Sequence, residues 1–391
     1  MSAIPAVPLD ADARVRVTAV LPDPPLLEGG AAGRCAAALL RGLQMRGVSV
    51  TAVAARRHSY LDTALPDDLD VDVVPVEPGG TWSSRADILV RPRGQLSRGA
   101  FATRVRELAE QADVLHLDQV DAAWCDVDVK TPSVVHVHYL ARRDSSLRLS
   151  WDHAATLLVR ALSERATVRR HHFLIANSPM VADDLRRMRP SADVSVVPLC
   201  LEPTHYSRAP LNGPPTAVFI GTGPWPTTAA SLRRLVSRVW PLVHAAVPEA
   251  RLVIAGRGTD RLGITNGDGI TVLGEIPSAA AFFSDASVLV VPLDRGSGMK
   301  VKVLEALASG VPTVTTPAGA EGVERGDGIV VCDRSDDESV ARATAAILRD
   351  DLERRQRGDA ARALFERNYV PEVVAEPLVD LYIRMASNGA G

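Results

Sequence analysis

PLDRGSGMKVKVLEALASGVPTVTTPAGAEG, residues 292–322, is the stretch whose reading decides the fold. It follows the β-branched run 288–291, passes a Gly-Ser-Gly turn at 296–298, and opens an apolar-striped segment, 299–308, with Val301, Leu304 and Ala308 on one helical face. A second β-branched run, 311–316, leads to a further glycine turn at Gly319 and Gly322. The order strand, glycine turn, helix, strand, glycine turn places two amide-rich loops at the carboxyl ends of neighbouring parallel strands. Open α/β sheets bind ligands there.

The polar residues of the stretch suit an anion. The amides of Gly298 and Met299 open a helix, whose dipole favours negative charge. Lys300 and Lys302 stand in that first turn, where a helix with no ligand prefers Asp or Glu. Glu305 follows on the face of Lys302, and its carboxylate can accept two ribose hydroxyls. A solvated Lys–Glu pair would have the same spacing. Composition argues against it, because the chain uses Arg almost throughout and has only three lysines, Lys130, Lys300 and Lys302.

With these residues in view, the stretch resembles the donor-binding motif of the large retaining family of nucleotide-sugar glycosyltransferases built from two Rossmann-like domains, the GT-B architecture. The matching positions are Gly296, Gly298, Lys302, Leu304, Glu305 and Ala306, then Gly310, Pro312, Thr316, Gly319, Glu321 and Gly322. The resemblance implies that Lys302 contacts the donor's diphosphate, aided by Lys300 and the glycine loops, and that Glu305 contacts its ribose. Many members carry another glutamate eight residues before the last, against the donor sugar. Ser297 stands there in this chain.

The 391 residues are 46% hydrophobic with a formal net charge of −3, enough for two domains and their cores. Acidic and basic side chains balance at 24 each over residues 1–200 and stand at 23 and 20 beyond, so neither half has the basic excess of a nucleic-acid binder. No run approaches the roughly twenty apolar residues of a membrane helix, and no signal peptide is expected. The four cysteines, Cys35, Cys125, Cys200 and Cys332, are scattered, which fits a reducing cytoplasm and not a cysteine zinc site.

Along the chain, 14–21 reads as a first strand, 26–33 as a glycine loop containing Gly29 and Gly30, 36–45 as a helix and 48–54 as a second strand. The glycines do not form the dinucleotide fingerprint, and a plain connection remains open beside the acceptor or phosphate role that the resemblance implies. Further strands are expected at 71–76, 87–90, 114–117, 133–137, 173–176 and 194–197. Residues 85–106 carry six arginines, read as a solvated face with weak contact to an anionic membrane or acceptor as the alternative. His136 and His138 alternate onto one side of a strand, as a zinc pair would, but no third ligand is evident and no metal is expected. A structural histidine is the ordinary reading of His138. The resemblance instead implies that His138, six residues after Pro132, meets the transferred sugar and that Arg143 lies near acceptor or phosphates.

Beyond a proline-rich segment at 198–215, strands are expected at 216–221, 251–255 and 270–276 and a helix at 228–246. The family's basic residues near 222–228 are replaced by Thr222 and Thr228, leaving the diphosphate to the two lysines. The Gly256-Arg257-Gly258 turn is a second candidate phosphate or sugar loop, with a simple β-turn as the alternative.

The expected architecture is α/β, two Rossmann-like domains (1–200 for the acceptor, 201–370 for the nucleotide sugar) facing across a cleft, with a terminal helix, 371–391, crossing back to the first. The expected activity is metal-independent, retaining transfer of a hexose from a nucleoside diphosphate sugar to a small-molecule or glycan acceptor, without cofactor, in the cytoplasm. An epimerase or hydrolase on the same fold, and a non-catalytic nucleotide-sugar-binding subunit, are the alternatives. The base, the sugar, the acceptor and the oligomeric state are not legible.

Overall fold

A computed structural model of the chain describes residues 15–28, 30–56, 65–76, 95–144 and 151–389. The elements run β1 Arg16–Leu21, α1 Ala31–Met45, β2 Ser49–Arg56, β3 Val71–Pro75, α2 Gly99–Ala109, β4 Val114–Asp118 and α3 Gln119–Ala122. There follow β5 Ser133–Val137, α4 Ala141–Asp144, α5 Trp151–Arg170, β6 Phe173–Ala176, α6 Pro179–Met188 and β7 Asp193–Val196. Then come β8 Thr216–Ile220, α7 Pro226–Arg234, α8 Trp240–Ala246, β9 Arg251–Ala255, β10 Ile270–Gly274, α9 Ala279–Phe283 and β11 Val288–Val291. The chain ends with α10 Val301–Ala308, β12 Thr313–Thr315, β13 Ile329–Val331, α11 Asp337–Arg349, α12 Asp351–Asn368 and α13 Pro371–Gly389. The strand expected at 87–90 and the first part of the arginine-rich stretch lie outside the described residues. The rest of that stretch enters α2.

The chain divides into two compact units, residues 1–142, 149–200 and 371–391 in the first and 143–148 and 201–370 in the second. Each is built on a parallel sheet. The first sheet has the order β3-β2-β1-β4-β5-β6-β7 and the second β10-β9-β8-β11-β12-β13. In both, the chain reverses direction across the sheet beside its first strand, at β1/β4 and at β8/β11. The carboxyl ends of those pairs are where such sheets open a crevice for ligand.

The strands are apolar on both faces because helices cover both. In the first unit Val17, Ala19, Leu21, Val114 and Val134 pack against α1 and α13, while Val20, Leu115, Leu117, Val135 and Val137 pack against α2 and α6. Each fully buried Val or Leu contributes about 1.5–3 kcal/mol relative to exposure. Local chemistry sets the boundaries. Ser178 caps α6 by accepting from the Val181 amide at 3.3 Å, with Pro179 in the first position. The helix expected at 228–246 begins at Pro226 and widens into a π turn over Leu235–Val239, just before Pro241, which has no N–H to continue the ladder. The helix expected from 299 starts two residues later, because Lys300 is extended (φ −98°, ψ 104°) and caps it.

α1 and α13 approach most closely at Gly42, where a Cβ would lie 2.3 Å from the Pro371 carbonyl oxygen. Gly42→Ala is therefore expected to force the helices apart and cost about 1–3 kcal/mol. Urea denaturation would show this as a lower midpoint at unchanged slope, and an unmoved midpoint would refute the close contact.

Candidate functional site

The β8/β11 switch point of the second unit assembles the glycine loops and both lysines. Lys302 is the second residue of α10, and its amine lies on the carboxyl end of β8: a Cβ on Gly221 would stand 2.5 Å from its Nζ. The ammonium sits 4.8 Å from the Phe219 ring centroid, a cation–π contact. Among the described residues it has no hydrogen-bond or ion-pair partner. Its side chain is half-buried, and burial, then the neighbouring Lys300 charge, pushes its pKa down to about 8, with Glu305 opposing.

Lys300 is turned differently. Its Nζ donates to the carbonyls of Ser297 (3.1 Å) and Gly298 (2.5 Å), so it braces the glycine loop that it follows. Burial lowers its pKa, against the charges of Glu321 and Asp144. Gly298 needs its left-handed φ of 69°, which an L side chain rarely adopts. Ser297 is buried, and both its amide (2.7 Å) and its hydroxyl (2.9 Å) donate to Asp144 Oδ1. Burial raises the Asp144 pKa despite those hydrogen bonds and the Lys300 charge.

Glu305 is buried on α10, and its Oε1 accepts from Tyr206 Oη at 3.1 Å. Glu321 is buried in the turn after β12, beside Lys300. Gly319 lies against Thr315, whose hydroxyl donates to Val291 O, and Gly322 has a φ of 75°. Arg257 is exposed, and its carbonyl accepts from the Gly223 amide at 2.9 Å, which ties the loop after β9 to the loop after β8.

His138 and the first glycine loop belong to the first unit. Gly30 is the residue before α1, Gly29 is outside the described residues, and Arg143 is exposed on α4. His138 follows the last residue of β5, mostly buried, with its Nε2 2.8 Å from Asp118 Oδ1 but offset from hydrogen-bond alignment. Asp118 ends β4 directly opposite His136. His116, His136 and Asp118 are all buried on the face that α13 covers, and Tyr382 of that helix bonds His116 Nδ1 at 2.7 Å. Burial keeps His116 neutral, down to about 4, and His136 well below its ordinary range. Desolvation would raise Asp118, but the close contact with His138, with the other two imidazoles, carries it down to about 2.

Several of these residues escape a sequence reading. Asp144, Tyr206, His116 and Asp118 each act on a residue far away in the chain. The one usable signal was the repeated two-residue spacing, His116-x-Asp118 and His136-x-His138, on strands that proved to be neighbours.

Two parallel Rossmann-like sheets, in the orders given, are those of a GT-B fold. Residues 30–200 match the family described as Glycosyl transferase 4-like domain and residues 214–350 that described as Glycosyl transferases group 1, so the chain belongs to the group 1, family 4-type glycosyltransferases. Among solved structures, sucrose-phosphate synthase from Thermosynechococcus elongatus matches with a TM-score of 0.70 at 16% identity, over 95% of this chain and 100% of that one. Anabaena HepE in complex with UDP and glucose matches at 0.66 and 14%, over 94% and 99%. The catalytic domain of starch synthase IV from Arabidopsis thaliana, bound to ADP and acarbose, matches at 0.64 and 12%, over 95% and 99%. No curated protein matches the sequence. Among the described residues, no helix is long and apolar enough to cross a membrane.

Proposed function

We propose that this glycosyltransferase moves a hexose, with retention, from a nucleoside diphosphate sugar to a small-molecule or glycan acceptor. The observation that carries this reading is the Lys302 ammonium, half-buried over Phe219 at the β8/β11 crevice and lacking an anionic partner among the described residues. A diphosphate there would gain a charge-assisted hydrogen bond in a partly desolvated site. The presence of UDP with glucose, and of ADP, in the complexes of the HepE and starch synthase structures supports the same donor class.

In the transfer, an acceptor hydroxyl oxygen bonds to the anomeric carbon, the bond from that carbon to the diphosphate breaks, and the acceptor's proton leaves with the diphosphate. Lys302 and the loop amides stabilise the charge that develops on the leaving group, without a divalent ion at that place. Lys300 holds the loop in shape. Asp118 fixes the Nε2 side of His138, leaving Nδ1 to accept from a sugar hydroxyl. The same reading puts the protein in the cytoplasm, and four buried cysteines that form no disulfide support it.

The test is turnover of labelled UDP-, GDP-, dTDP- and ADP-glucose with and without an acceptor. Nucleotide release that requires acceptor supports transfer. Acceptor-independent release points to a hydrolase, an isomerised donor to an epimerase, and binding without turnover to a binding subunit. Within this reading Glu305→Gln is expected to keep the Tyr206 bond and the fold while weakening nucleotide binding about tenfold through the lost charge on a ribose acceptor. Calorimetry with pyrophosphate, which lacks ribose, should show no loss; an equal loss for both ligands would remove the ribose role.

A further inference from the structure

The residues beneath His138 form a lattice whose chemistry glycosyl transfer does not use. β4 and β5 are paired with Asp118 opposite His136, and His116, two residues before Asp118, lies on the same face. One ligand atom from each of His116, Asp118 and His136 falls within 4.8 Å of the others, and all three residues are buried, none more than 5% exposed. Three imidazole nitrogens here, His116 Nε2 and both nitrogens of His136, have no hydrogen-bond partner among the described residues. Buried polar atoms are almost always satisfied, so this concentration calls for a missing partner. A cavity of about 10 Å³, bordered by Asp118, His136, His138, Cys35 and Cys200, lies beside two of the three, room for about one small particle.

We propose that His116, Asp118 and His136 bind one divalent transition-metal ion of zinc's class, with a water completing the coordination. Two imidazoles and a carboxylate are a zinc-type ligand set. The second shell fits as well. Ligation through His116 Nε2 requires Nδ1 to carry the proton and donate it to Tyr382 Oη, 2.7 Å away. The ion would pin β4, β5 and α13 to one another. It is separate from the diphosphate chemistry of the second unit and does not depend on the transfer reading.

The full chain, expressed with zinc and then dialysed, is expected to carry one equivalent of metal by elemental analysis, and its cobalt-loaded form to show the visible absorption of a low-coordinate site. His136→Ala and Asp118→Asn should lose the metal, whereas His172→Ala, at a histidine outside the cluster, should keep it. Tyr382→Phe should weaken zinc binding about 10–100-fold. If a ligand variant fails to fold, the wild-type metal content and cobalt spectrum decide alone. Less than a tenth of an equivalent of metal in the wild type, with no cobalt spectrum, would overturn the proposal and leave a water in the cavity; retention of a full equivalent by a folded Asp118→Asn would also overturn it.

Discussion

Lys302→Met is expected to make the protein more stable and nearly blind to diphosphate. The free ammonium is half-buried, with its pKa lowered from 10.5 to about 8. Between those values the unfolded chain binds more protons than the folded one, so stability rises with pH across that window. At neutral pH the full cost of keeping the charge folded is present, on the order of 2 kcal/mol after allowance for partial exposure. Methionine removes the charge at nearly constant shape, so the variant should gain stability near pH 7 and lose the pH dependence between 8 and 10.5. Diphosphate binding should weaken by about 1.5–3 kcal/mol, the range for a hydrogen bond to a charged group. In the wild type, affinity should hold level below pH 8 and decline above it, as the ammonium deprotonates. Thermal unfolding and calorimetry on one preparation read both effects. Unchanged affinity for UDP, GDP, dTDP and ADP alike would remove Lys302 from the donor site.

His138→Ala separates chemistry from binding. Nucleotide is assigned to the second unit and His138 directly follows β5 in the first, so the variant should bind nucleoside diphosphate within a factor of about two of wild type. Transfer should fall by on the order of 10²-fold, the scale for a positioned side chain that handles a proton or hydroxyl in the transition state. His138→Asn, which keeps an acceptor, should recover part of the rate. Full transfer by the alanine variant would return His138 to a structural role, and lost nucleotide affinity would move the donor site.

What could be read in the sequence was local. The apolar periodicities around residues 292–322 became β11, α10 and β12, and the scarcity of lysine singled out the residue that lies on Phe219. The helix start was misplaced because Lys300 is extended and bonded to its own loop, a conformation that helical spacing does not encode. Most of the remainder came from pairing over long separations. Asp144 reaches Ser297 across 153 positions and Tyr206 reaches Glu305 across 99. His116 and Asp118 meet His136 because β4 and β5 lie side by side in the sheet. Periodicity names the face of a strand but not the strand beside it.

The last helix also orders events during synthesis. α13 supplies Val374, Ala375, Leu378, Val379, Leu381, Tyr382 and Met385 to the core of a unit whose first strand begins at Arg16. Until these residues emerge from the ribosome, that core has an open apolar wall and His116 lacks its tyrosine. Nearly all of the second unit lies between residues 201 and 370 and is available earlier. Domains made from a continuous stretch fold as they appear, so the second unit is the one placed to finish first, although the other was begun before it.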